Sequence, residues 1–190
     1  MKKTSNHYID NSQFLAVLVK YQKDVRRAKR KKESKPPIPN YIGECFMKIA
    51  EHLSYSPNFG NYSYRDEMIS DAIENCLMYF ENFDPKKSKN PFAYFTQIVY
   101  YAFIRRITKE KKQQYVKYKS LENSRIFDEI TVEDLDLLSS ENKSNMPKPQ
   151  EMYANMSEFI ENFEKSKKMK KEKSSKKVGI EKFYEGDTNG

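Results

Sequence analysis

The chain has 190 residues, enough for one modest helical domain with tails and too few for two full domains. Lys and Arg outnumber Asp and Glu by 35 to 27, a net charge of +8 that becomes informative through its uneven distribution. With 5 Gly against 14 Tyr and 12 Phe, there is little material for tight turns or phosphate-cradling loops, and the composition favours an all-α fold.

A first helix is expected from about Ser12 to Lys31, where Phe14, Leu15, Leu18, Tyr21, Val25 and Ala28 recur at helical spacing. Its second half is strongly basic, with Arg26, Arg27, Lys29, Arg30, Lys31 and Lys32, before Pro36, Pro37 and Pro39 break the chain. A second helix should start near Asn40 and carry Ile42, Phe46, Ile49, Ala50 and Leu53 as one stripe. Pro57, Asn58, Gly60 and Asn61 then mark a loop. A third helix is expected to be capped by Ser63, with Asp66 three residues on. Met68, Ile69, Ala72, Ile73, Cys76, Leu77 and Phe80 form its wide apolar face, and Arg65, Glu67, Asp71, Glu74 and Asn75 the opposite one. Asn90-Pro91 should restart the chain as cap and first helical residue of a long fourth helix, reaching Lys112 or beyond.

The charge then changes sign. Residues 84–119 hold ten Lys/Arg and two Asp/Glu, whereas residues 120–164 hold three and eleven. Met146-Pro147-Lys148-Pro149 marks a linker, and Met152, Met156, Phe159, Ile160 and Phe163 fit one side of a short amphipathic helix. Eight lysines among residues 165–177 predict a disordered run. Beyond it, the apolar and aromatic residues of Val178 to Glu185 suit binding to a partner. The expected division is therefore a compact helical domain over 1–125, an acidic linker with a short helix over 126–164, a lysine-rich linker over 165–177 and a binding tail over 178–190.

Catalysis finds no support. There is no Gly-rich phosphate loop and no nucleophile elbow, and His7 and His52 are isolated. Cys45 and Cys76 fall among apolar helical positions and are expected to be buried free thiols. Two cysteines and two distant histidines are too few and too scattered for a zinc site, so neither metal nor cofactor is expected. No run of 18 uncharged apolar residues exists, and Phe14 to Val19 is too short for a signal peptide, so an intracellular protein with no membrane association is expected.

The fourth helix carries the chemistry. Its first half is aromatic (Phe92, Tyr94, Phe95, Tyr100, Tyr101, Phe103) and its second half basic (Arg105, Arg106, Lys109, Lys111, Lys112). Cations hold phosphates without reading sequence, and rings stack on unpaired bases for about 1–3 kcal/mol per base. Phe95, Val99, Ala102, Phe103 and Arg106 share one face, and Tyr94, Ile98, Tyr101 and Arg105 the next. So small a domain cannot bury both faces completely. Charge and aromatic content alone leave open a basic nucleic-acid-binding adaptor that never acts through RNA polymerase.

Beyond this, Tyr41 to Lys112 resembles region 2 of bacterial sigma factors. Glu81-Asn82-Phe83-Asp84-Pro85-Lys86-Lys87 through Asn90-Pro91-Phe92-Ala93-Tyr94-Phe95 is similar to the family's turn and promoter-facing helix. Asp66 to Ala72 is similar to its polymerase-contacting helix, and Ile104-Arg105-Arg106 to the basic end of its promoter-reading helix. From the first helix to Tyr118, and again from Gly179 to Glu185, the chain resembles the late-transcription sigma factors of T4-type bacteriophages.

That resemblance implies a non-catalytic initiation subunit in the cytoplasm of an infected bacterial host, which binds the host polymerase core and melts an AT-rich −10-type promoter element. Asp66, Glu67, Ser70, Asp71 and Glu74 would dock on the clamp coiled coil of the large polymerase subunit. Phe92, Tyr94, Phe95, Ile98 and Tyr101 would capture unpaired bases, and Arg105, Arg106 and Lys109 would hold the upstream duplex. Ile180, Phe183 and Tyr184 would grip the phage sliding clamp, and a late co-activator is a further implied partner. The paired tryptophans of primary sigma factors are replaced by Ile98 and Val99, which shifts strand opening to Tyr100, Tyr101 or Phe95. Ala102 stands where those factors carry a duplex-reading Gln. On this basis Phe95→Ala is expected to impair promoter opening while sparing core binding.

Overall fold

Five α-helices and one 3₁₀ turn make up the regular structure of residues 8–124 and 149–177, the part of the chain that the computed structural model describes. No strand occurs among the described residues, in keeping with the all-α expectation. Helix α1 spans Asn11–Lys31. Asp10 precedes it, and its Oδ1 accepts hydrogen bonds from the Ser12 and Gln13 amides at 2.9 and 3.1 Å, filling donors that the first turn cannot satisfy internally. After the proline-rich break, α2 spans Asn40–Ser54 and buries Ile42, Cys45, Phe46, Ile49 and Ala50.

Helix α3 spans Arg65–Tyr79 and runs into the 3₁₀ turn Phe80–Asn82. Here the expected cap is not formed: Tyr64 is the cap residue, and no side chain bonds to the first-turn amides. Ring contacts hold this entrance instead, with Tyr62 and Tyr64 5.2 Å apart and the Arg65 guanidinium 4.7 Å above the Tyr55 ring. Of the predicted apolar stripe, Met68, Ala72, Cys76 and Phe80 are buried, Ile69 and Ile73 are half-buried, and Leu77 is exposed.

Helix α4 spans Pro91–Asn123. Its start behaves as the sequence predicts, with the Ala93 amide donating to Asn90 Oδ1 at 3.0 Å. A second anchor comes from far along the chain: the Phe92 amide donates to Asn11 Oδ1 at 3.1 Å, tying the start of α4 to the start of α1. Three rings meet in the centre of the bundle. Phe95 lies 4.6 Å from Phe46 and 5.5 Å from Phe14. Cys45 and Cys76 are buried and unbridged, as expected.

Contacts divide the chain into two compact units after Glu110, inside α4. The first unit is the bundle of α1, α2, α3 and the N-terminal part of α4. In the second, the last turns of α4 pack against α5, which spans Pro149–Lys177. Tyr115 stacks on Phe163 at 4.5 Å, and its hydroxyl donates to Glu164 Oε1 at 2.9 Å. Met156 and Ile160 are buried here, which is the amphipathic stripe read from the sequence, while Met152 is exposed. Helix α5 is much longer than the short helix expected. It continues through the lysine run 165–177 that was expected to be disordered, because lysine is a good helix former and Glu161 pairs with Lys165 one turn on. The acidic residues Asp128, Glu129, Glu133, Asp134 and Asp136, and the tail residues Ile180, Phe183 and Tyr184, lie outside the described residues.

Candidate nucleic-acid interface

The two faces of α4 read from the sequence separate clearly in the bundle. Pro91, Phe95, Val99, Ala102, Phe103 and Ile107 are buried. Phe92, Tyr94 and Ile98 are half-buried, and Tyr101 and Arg105 are exposed. Phe95 therefore cannot receive a base. It is 0% exposed and walled by Phe14, Phe46, Phe83 and Tyr94, so its assignment as a strand-capturing ring is corrected to a core role. Tyr94 leans edge-on against Phe83 at 5.3 Å, and burial raises the pKa of its hydroxyl above the ordinary value.

An open groove of about 510 Å³ lies beside this core, lined by Leu53 of α2 and by Phe92, Ala93, Thr96, Gln97, Tyr100 and Tyr101 of α4. The α4 residues fall at i, i+1, i+4, i+5, i+8 and i+9, the same period as the buried face but turned towards solvent. Tyr100 and Tyr101 keep 42% and 52% of their surface exposed. Tyr100 is nonetheless held in place: its ring meets Phe59 edge-on at 5.7 Å, and Phe59 in turn packs on Phe103 at 5.1 Å. Tyr101 stands edge-on to Tyr100 at 5.7 Å. Phe92, which lines the groove, meets Tyr8 edge-on at 5.6 Å, and Tyr8 stacks on His52 at 4.2 Å. Thr96 spends its hydroxyl proton on the Phe92 carbonyl, while the exposed Gln97 can offer both a donor and an acceptor to a base edge.

Such a groove suits flat, apolar-faced ligands with polar rims, and an unpaired nucleobase is one. Tyr100 stands in the sequence both among the rings of the first half of α4 and as a substitute for the absent tryptophans. Leu53 is read from the sequence only in the apolar stripe of α2 and Ala93 only within the Asn90-to-Phe95 motif, whereas Thr96 and Gln97 are not singled out, although the register of α4 places them beside Tyr100 and Tyr101. The chain matches no protein-family model and no curated protein.

The basic end of α4 is less uniform than its composition suggests. Arg105 and Lys109 are exposed, and Arg105 Nη2 donates to Asn75 Oδ1 of α3 at 2.6 Å. Arg106 is held differently. Its side chain is 18% exposed, and Nη1 lies 3.2 Å from Asp71 Oδ2 on α3. Its Nε lies 2.9 Å from Glu110 Oε1, at an angle that falls short of a hydrogen bond. Arg106 and Asp71, expected to serve DNA and polymerase respectively, are paired with each other. An arginine is favoured for this, since its planar fork can address two carboxylates while its stem stays packed.

Four further residues of α3 were expected to meet a partner. Asp66, Glu67, Ser70 and Glu74 are all exposed, and the Ser70 hydroxyl donates to the Asp66 carbonyl at 3.0 Å. Among the described residues no cluster of His, Cys, Asp or Glu is placed to hold a metal ion, and no helix is long and apolar enough to cross a membrane.

Proposed function

We propose that this chain is a non-catalytic transcription initiation factor, a sigma factor of the T4-type phage late class, acting in the cytoplasm of an infected bacterial host. The observation that carries the proposal is the open groove of Phe92, Tyr100 and Tyr101 on the same helix as the exposed Arg105. Tyr101 and Arg105 are one turn apart, about 6 Å along the axis. One segment can thus stack a separated base and hold the adjoining phosphate. AT-rich steps unpair most readily, so stacking in the groove offsets the least costly opening.

On this reading the exposed edge of α3, formed by Asp66, Glu67, Ser70 and Glu74, meets a basic or polar surface of the polymerase core, for which the clamp coiled coil of the large subunit is the candidate. The tail residues Ile180, Phe183 and Tyr184 address the phage sliding clamp. A late co-activator completes the set of partners.

Run-off transcription with bacterial core polymerase on an AT-rich late-type template tests the proposal. The chain should confer initiation and permanganate-reactive thymines around the start. The double substitution Tyr100→Ala, Tyr101→Ala should reduce opening at least tenfold with core binding retained. If core polymerase fails to retain the chain in a pull-down, the basic adaptor reading replaces this one.

A further inference from the structure

The cations of α1 have no place in the groove or in the docking edge. Lys23, Arg26, Arg27, Arg30 and Lys31 fall at i, i+3, i+4, i+7 and i+8, and they alone line a shallow cleft of about 500 Å³. All five are exposed. Lys31 lies 3.7 Å from the exposed Glu33, and among the described residues no ion pair engages the other four.

Closing the end of the helix does not account for these cations. Cations often close a helix by bonding its last carbonyls, but here the backbone already does so: the amides of Lys32 and Glu33 return to the Lys29 and Ala28 carbonyls at 3.3 and 3.0 Å. Lys32 itself closes the helix in the left-handed region at φ 57° and takes no part in the cleft. The opposite side of α1 is fixed in the bundle by Phe14, Leu18, Tyr21 and Ala28, and the buried Gln22 Nε2 donates to the Phe83 carbonyl at 2.7 Å. The cationic stripe therefore faces solvent at a set angle around the helix.

We propose that this face of α1 is a second nucleic-acid site, one that binds the phosphate backbone of double-stranded DNA. Phosphate is the chemistry that three guanidinium forks and two ammonium groups recognise. Duplex is favoured over single strands because none of the five lining residues carries a ring on which a base could stack. From residue 23 to residue 31 the stripe runs about 12 Å. Measured along the duplex axis, that length matches about three base-pair steps at about 3.4 Å each. The site would add affinity and orientation without sequence preference, and it needs no polymerase. It deepens the initiation-factor reading by giving the chain a hold on duplex separate from the strand-capturing groove.

The test is fluorescence anisotropy of the full chain on a random 20-base-pair duplex and on oligo-dT, between 50 and 200 mM KCl. The triple variant Arg26→Gln, Arg27→Gln, Arg30→Gln preserves side-chain length and helix propensity, and a thermal melt by circular dichroism confirms that it folds. Duplex affinity at 50 mM should fall about tenfold or more, and the slope of log K against log salt should become shallower by about 2 to 3. The charge-matched variant Lys86→Gln, Lys87→Gln, Lys89→Gln should change affinity less than threefold, and Arg→Lys at the same three α1 positions should keep most of the slope. An unchanged slope, an equal loss in the charge-matched variant, or a larger loss on oligo-dT than on duplex would overturn the proposal. None of these outcomes touches base capture by Tyr100 and Tyr101, which is read separately by promoter opening.

Discussion

Along the N-terminal part of α4, side chains of one chemical kind meet two fates. Phe95 and Phe103 are fully buried, whereas Tyr100 and Tyr101 keep about half of their surface in water at 42% and 52%. Position around the helix decides, since residues 95, 99, 102 and 103 turn inward and 93, 97, 100 and 101 turn outward. The two faces are not independent. Phe103 supports Phe59, and Phe59 supports Tyr100, so the core fixes the angle at which the outer ring is offered. A ring already held in place loses less freedom when it captures a ligand.

The sharpest way to break this contrast is Phe95→Ala. Removing a fully buried ring from a close-packed cluster costs about 3–5 kcal/mol. Urea unfolding should show a loss of that size, and any defect in promoter opening should follow the fraction folded. A variant of unchanged stability that still failed to open DNA would return Phe95 to the interface. Next comes Tyr101→Ala on the outer face. Stability should move by no more than about 0.5 kcal/mol, as for most surface substitutions. Capture of an unpaired base should weaken by about 1–3 kcal/mol, roughly 5- to 150-fold. Equal losses of stability and of strand capture would mean that the two faces do not divide the work.

The bundle was legible in the sequence wherever a local pattern fixed it. The stripe of Ile42, Phe46, Ile49 and Ala50, the Asn90-Pro91 start and the length of α1 all follow from periodicity or capping chemistry within a few residues. Failures occurred where distant residues overrode the local pattern. Ser63 lost its capping role to a cluster of Tyr55, Tyr62, Tyr64 and Arg65. Arg106 is paired with Asp71, thirty-five residues earlier, which nothing in a linear reading reveals. For 165–177, charge repulsion and helix propensity pointed in opposite directions, and propensity prevailed. The candidate groove was half legible: its rings were found, but their assignment by residue type placed the buried Phe95 beside the exposed Tyr101.

A smaller effect sharpens the buried side of the comparison. Burial carries the Cys76 thiol from its ordinary 9.0 up to about 12. Because the folded chain holds this proton more tightly than the unfolded one, the stabilisation is complete below pH 9.0 and is lost as pH rises towards 12. Stability measured through that window should fall, and Cys76→Ala should flatten the fall. Native Cys76 should also resist alkylation at pH 8 and react freely in urea, since the thiolate is the nucleophile. Rapid alkylation of the native chain would place the thiol outside the core.

The smallest effect concerns how the outer face is held. The Phe92 amide is one of the first-turn donors of α4 that no intrahelical acceptor can reach, and Asn11 Oδ1 fills it from α1 at 3.1 Å. Asn11→Ala should cost about 1 kcal/mol, the usual scale for a lost side-chain bond at a helix start. Asn90→Ala, which removes the bond to the Ala93 amide, should cost a similar amount. Their effects on strand capture should nevertheless be smaller than that of Tyr101→Ala, because both leave the stacking rings in place and loosen only the wall that Phe92 and Ala93 provide. If Asn11→Ala weakens strand capture as much as Tyr101→Ala does, the groove depends chiefly on its anchored wall, and the exposed tyrosines are secondary.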